Sequence, residues 1–221
     1  MGSEGKKISL QGVADERKRT TPMKVFVEIG VGLFGTCHQL LENGWKGIMI
    51  EPLKEVCDKI VPHPNLSVEN VAISTEQGTE ILLRVKDENV FKESDVVLGM
   101  SGLKKGFNPL LGKRYEGLVN EIEVKTLTIQ DIIEKYNLKE IDYLKVDTEG
   151  MDIEILTNYT FDILPTMIKF EHVHGSGTIY DYSFVGLDQI GASQKYLDLI
   201  DRLKSLGYLV YQENEDVYCI R

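Results

Sequence analysis

The chain has 221 residues, 42% of them hydrophobic, which suits one domain with a sizeable core and falls short of two full ones. A formal net charge of −10 argues against a duplex nucleic-acid binder, because phosphate contacts need clustered Lys and Arg that here lie scattered. No apolar run reaches the roughly 18 to 20 residues that span a bilayer, so no membrane partner is expected. The three cysteines, Cys37, Cys57 and Cys219, have no paired or zinc-like spacing and point to a reducing, cytoplasmic compartment.

Residues 1–22 are polar and close on Pro22, so a flexible lead-in is expected there, with Arg17, Lys18 and Arg19 as a solvated cluster; the domain is expected over 23–221. Val25-Phe26-Val27 with Ile29 is a continuous apolar run of the kind that forms a central parallel strand covered on both faces. It runs into Gly30-Val31-Gly32-Leu33-Phe34-Gly35, a Gly-x-Gly-x-x-Gly turn that lets a ligand approach the backbone at the start of the next helix. That helix is expected over Thr36 to Asn43, and Gly47 to Glu51 is the second strand, ended by Pro52. Glu51 thereby stands at a strand's carboxyl end, where an acid meets ribose hydroxyls. Glu28, two positions before the first glycine, is a carboxylate where a pyrophosphate site normally carries an apolar residue. It suits the cation of S-adenosylmethionine better than the phosphates of NAD.

Leu53 to Ile60 reads as a helix and Leu66 to Ile73 as the third strand with its exit beside the adenine. Ile81 to Val85 reads as an antiparallel addition. The stretch from about 84 to 125 is expected to be an irregular insertion, with the glycine- and proline-rich part from Gly99 to Gly117 facing substrate. Thr128 to Tyr136 predicts a helix, Ile141 to Asp147 a strand, Met151 to Leu156 a helix and Thr166 to Glu171 a strand. Ser193 to Leu206 predicts an amphipathic helix, and a hairpin follows over Tyr208 to Tyr211 and Val217 to Ile220. Alternating strands and helices closed by a hairpin imply an α/β fold, a doubly wound sheet with an antiparallel edge.

Asp147-Thr148-Glu149-Gly150 ends a strand with two carboxylates on the same rim as Gly30 and Glu51. The block from Asp142 to Leu156 resembles the signature of the FkbM-type methyltransferases, a branch of the Rossmann-like adenosylmethionine-dependent enzymes. Glu28 to Gly32, Ile50-Glu51-Pro52, Asn70 to Ile73 and Ile168 to Glu171 match in the same order, over about residues 23–175. The chain departs from the pattern at Leu127-Thr128-Ile129-Gln130-Asp131, where a Leu-Asp pair usually precedes the middle helix. The resemblance implies a seven-stranded, mostly parallel sheet and a cofactor, S-adenosyl-L-methionine. Gly30 and Gly32 would pass under its methionine part, Glu28 would hold its ammonium directly or through water, and Glu51 would take both ribose hydroxyls. Asn70, Val71 and Ala72 would border the adenine, Asp147 would lie near the sulfonium, and Glu149 would face substrate. The resemblance further implies O-methylation of a sugar or another small-molecule hydroxyl.

His172 and His174 close the fifth strand, and His172 is the expected general base. A divalent metal on Asp147, Glu149, Glu171 and the histidines is the alternative use of those side chains, and no metal is assigned. An NAD(P)-dependent oxidoreductase and a non-catalytic methyltransferase-like binding module are the competing functions. The acceptor and the oligomeric state are not legible.

Overall fold

In the computed structural model, residues 23–32, 35–85, 101–106, 117, 119–172, 178–180 and 189–221 are described. In chain order the elements are β1 (Val25–Ile29), α1 (His38–Glu42), β2 (Lys46–Ile50), α2 (Lys54–Cys57), β3 (Leu66–Glu69), β4 (Ala72–Ile73), β5 (Gly78–Val85), β6 (Ser101–Leu103) and β7 (Val119–Leu127). They continue with α3 (Ile129–Tyr136), β8 (Tyr143–Val146), α4 (Asp152–Asn158), β9 (Met167–Glu171), β10 (Thr178–Tyr180), β11 (Gln189–Ala192), α5 (Gln194–Ser205), β12 (Leu209–Glu213) and β13 (Asp216–Ile220).

The larger sheet runs β12-β13-β9-β8-β1-β2-β3. Its inner pairs are parallel, and the β12–β13 hairpin joins β9 antiparallel, so the fold is α/β with a mostly parallel sheet. Alternation along the strands divides two cores. Val25, Val27 and Ile29 face one side with Ile48, Leu144, Ile168 and Phe170, beneath buried positions of α3, α4 and α5. Phe26 and Met49 face the other, beneath Cys37 and Leu41 of the α1 region. Fully burying each such side chain contributes about 1.5–3 kcal/mol. Among the described residues no helix is long and apolar enough to cross a membrane.

Helix α3 begins at a reciprocal cap: Thr128 Oγ1 accepts from Asp131 N at 3.1 Å while the Asp131 carboxylate accepts from Thr128 N at 2.8 Å. This is where the sequence departs from the family pattern, and the substitute residues anchor the helix start without the usual Leu-Asp pair.

The region expected to be an irregular insertion is in part a second sheet, ordered β4-β7-β5-β6. Strand β7 pairs antiparallel with β5 from Val119 against Val85 to Thr126 against Gly78. Ile122, Val124 and Thr126 alternate with charged Glu121, Glu123 and Lys125, the period of a strand with one covered face. Residues 86–100, 107–116 and 118, where most of the proposed substrate-facing stretch falls, lie outside the described residues, as do the lead-in 1–22, Leu33, Phe34 and His174.

Candidate active site

The carboxyl ends of β1, β2 and β8 and the exit of β3 open on one cleft, and the second sheet supplies its far wall. Gly30, Gly32, Glu51, Val71, Ala72, Asp147, Thr148 and Glu149 all line it, so most of the residues singled out from sequence meet at one place. The β3 exit and the second sheet add an apolar wall of Val71, Ala72, Ile73, Leu82 and Leu103, with Ser101 beside it.

Two described glycines of the turn differ in their surroundings. Gly30 has φ +76°, and a Cβ built on it would lie 1.7 Å from the Asp147 carbonyl oxygen. Gly30 is thus where β1 and β8 close against each other, and the direct need for glycine is this approach. Gly32 has φ +55°, and a Cβ built on it would meet no atom of the described residues within 4 Å, so among them its face is open to a ligand.

Glu51 is 3% exposed, and it reaches the cleft while accepting from Gly32 N at 3.0 Å and Leu53 N at 2.9 Å. Burial pushes its carboxyl above the usual range, and the backbone donors of Leu53, Gly32 and Val31 pull it back. Gly32 N and Leu53 N make the two full hydrogen bonds among these donors, which leaves an ionised carboxylate with lone pairs for hydroxyls. Asn70 differs from expectation. Its amide donates to the carbonyls of Glu51 and Pro52 at 3.1 and 2.8 Å, so it fixes the backbone that carries Glu51, while its neighbours Val71 and Ala72 line the cleft.

Glu28 also differs. Its side chain is fully buried and takes Thr36 N at 3.0 Å, Thr36 Oγ1 at 3.1 Å, Cys37 N at 3.2 Å and Lys145 Nζ at 3.2 Å. It is absent from the cleft wall, which corrects the expectation of a direct contact with an ammonium. Lys145, missed from sequence, does line the cleft and bridges onward to Asp147 Oδ2 at 3.2 Å. Burial works against its charge, but Asp147 and Glu28 outweigh that and raise its pKa. The signal was a lone charged residue inside the otherwise apolar run of β8.

Asp147 lifts above the ordinary aspartate range through burial, an effect offset by Lys145 and reinforced by Glu171. Glu149 sits beside it in the left-handed region at φ 56°, the kind of backbone strain that gathers at functional sites. Both belong to a loop braced by Asp152, which accepts from Thr148 N at 2.8 Å, from the Thr148 hydroxyl, and from Glu171 N at 3.0 Å. On its other flank, a Cβ on Gly106 would lie 2.3 Å from Met151 Sδ, so the turn after β6 rests directly on this loop.

Complete burial and the neighbouring Asp147 push Asp152 up to about 7. A carboxyl that holds its proton more tightly folded than unfolded stabilises most below the unfolded value of 3.8, and this contribution is lost as pH rises to about 7. Chemical denaturation of Asp152→Asn beside the wild type should show the free-energy difference moving in favour of the variant between pH 4 and 7. The slope is up to about 1.4 kcal/mol per pH unit. Parallel stability curves would contradict it.

His172 is not a base of this cleft. It shares its parity along β9 with Ile168 and Phe170 and therefore falls on the α5 side, with its ring centroid 5.3 Å from that of Tyr196. Its Nε2 meets Asn214 O at 3.2 Å and Gln212 Nε2 at 2.7 Å, and burial lowers its pKa. Lys169, of opposite parity, reaches the cleft and pairs with Asp216 at 2.8 Å. Among the described residues no three His, Cys, Asp or Glu side chains are grouped to hold a metal ion.

The sequence profile described as Methyltransferase FkbM domain matches residues 25–210. Among curated proteins none matches the chain significantly. One chain of a crystal structure of a fibrillarin/Nop5p complex aligns over 89% of this chain and 70% of its own, with a TM-score of 0.39 and 9% identity.

Proposed function

The chain belongs to the FkbM methyltransferase family, and from that premise we propose that it uses S-adenosyl-L-methionine to methylate a hydroxyl of a sugar or another small molecule. The observation that carries this reading is the fate of the turn's N–H groups. In a dinucleotide site the glycine turn and the start of the following helix present free N–H groups to a diphosphate. Here Gly32 N is taken by Glu51, and Thr36 N and Cys37 N are taken by Glu28. Among the described residues of the turn, carboxylates take these three N–H groups that a diphosphate would use, which favours a phosphate-free nucleoside carrying positive charge.

The residues fit that group. Glu51 offers acceptors to two ribose hydroxyls, the wall of Val71, Ala72, Ile73, Leu82 and Leu103 suits an adenine ring, and the open face of Gly32 admits the methionine part. When bound, the cofactor supplies an electrophilic methyl on sulfur. Asp147 holds negative charge beside that cation, and Glu149, farther out on the same loop, accepts the proton that the acceptor hydroxyl gives up. Alignment of the hydroxyl with the methyl carbon is then the main contribution of the surrounding wall.

Thermal shift with adenosylhomocysteine against NADH tests the cofactor, and a labelled-methyl assay over sugars, nucleotide sugars and phenols tests the acceptor. Stabilisation by adenosylhomocysteine and label in a hydroxylic acceptor are expected; stabilisation by NADH alone would overturn the reading.

A further inference from the structure

Glu28, Lys145 and Asp147 form a line from the buried face of the sheet to the cleft, with Glu28 opposite Lys145 in the β1–β8 register. Glu28 Oε1 and Asp147 Oδ2 each lie 3.2 Å from the same ammonium. Glu28 meets only donors here, two backbone N–H groups, a hydroxyl and the ammonium, which is the environment of an ionised carboxylate. The titratable groups that face this line from neighbouring elements are Lys169 on β9 beside Lys145, Glu171 and Asp152 beside Asp147, and the Cys37 thiol and Tyr143 hydroxyl beside Glu28. Lys169 is matched by Asp216.

An ammonium placed against Asp147 alone would cancel the charge that a cationic ligand needs. The third member changes the sum to one net negative charge. Resting on the cofactor reading above, we propose that Glu28 and Lys145 are positioning residues of one charge-balanced unit. In it Glu28 neutralises Lys145 and leaves the charge of Asp147 to the cationic methionine end of the cofactor. Glu28 thus serves the ligand's cation without touching it, and its bonds to Thr36 and Cys37 tie the glycine turn to the same unit.

The test compares calorimetric affinities for adenosylhomocysteine, which carries the ammonium, and methylthioadenosine, which lacks the amino acid. In Glu28→Gln the unit becomes neutral, so adenosylhomocysteine should bind roughly tenfold more weakly while methylthioadenosine changes less than about twofold. In the double variant Glu28→Gln/Lys145→Met both charges leave together and Asp147 keeps its own, so adenosylhomocysteine affinity should return to within about threefold of wild type. Equal weakening of both ligands in Glu28→Gln, or a double variant no better than the single one, would overturn the inference. Should Glu28→Gln not fold, Lys145→Met alone carries the test. Asp147 then takes up its proton at higher pH, and adenosylhomocysteine affinity should rise over a higher pH range than in the wild type; coincident curves would reject the unit. A wild type that binds neither nucleoside would instead remove the cofactor reading on which the inference stands.

Discussion

Gly30→Ala is expected to be the most damaging alanine substitution among the described glycines. The new Cβ would lie 1.7 Å from the carbonyl oxygen and 2.7 Å from the carbonyl carbon of Asp147, both backbone atoms that no rotamer change can move. The strands would have to part at the rim, where Asp147 N donates to Ile29 O at 3.0 Å and Gly30 N to Ile50 O at 3.0 Å. A left-handed φ adds about 1–2 kcal/mol for a residue with a side chain, and the enforced separation about 1–3 kcal/mol more. Against the roughly 5–15 kcal/mol that holds a domain together, this is a large share. Gly32→Ala is the control, since it has the same sign of φ but open space around it. Urea denaturation should place Gly32→Ala within about 2 kcal/mol of the wild type and Gly30→Ala well below both. Equal midpoints for the two variants would show that β1 and β8 do not meet as described.

Glu51→Ala should produce the largest loss of ligand affinity. On the proposed reading its carboxylate accepts from two ribose hydroxyls, and a hydrogen bond to a charged group is worth about 1.5–3 kcal/mol. Losing both corresponds to at least a hundredfold fall in adenosylhomocysteine affinity. The same carboxylate holds Gly32 N and Leu53 N, so a weaker complex alone would not separate ribose recognition from a loosened turn. Comparing adenosine with 2′-deoxyadenosine in both proteins does separate them. The wild type should discriminate against the deoxy compound and Glu51→Ala should bind the two alike. Discrimination that survives the substitution would contradict the ribose assignment.

The parts of the site legible in the sequence are those fixed by local pattern. An apolar parallel strand that ends in glycine or an acid has to present that residue at its carboxyl end, and Gly30, Glu51 and Asp147 all stand there. What was not legible depends on which element covers which face. Glu28 and Lys145 meet only because β1 and β8, far apart in sequence, are paired in one register. Alternation along β9 gives His172 the parity of Ile168 and Phe170, but parity does not reveal that α5 and the turn at Asn214 close over that side. Strand β7 was hidden differently. Its alternation is plain in Glu121-Ile122-Glu123-Val124, yet the neighbouring glycines and prolines argued for irregular chain, and pairing with β5 overrode them. Asp152, which no local pattern singled out, braces the loop that carries Asp147 and Glu149.

A crystal grown with adenosylhomocysteine addresses the central claim most directly. The ribose hydroxyls are expected on the Glu51 carboxylate, the adenine against Val71 and Ala72, and the amino group on the side of Asp147, with Glu28 still bound to Lys145. Density for the nucleoside elsewhere, or a cleft that takes up a dinucleotide with its diphosphate on the glycine turn, would contradict the account.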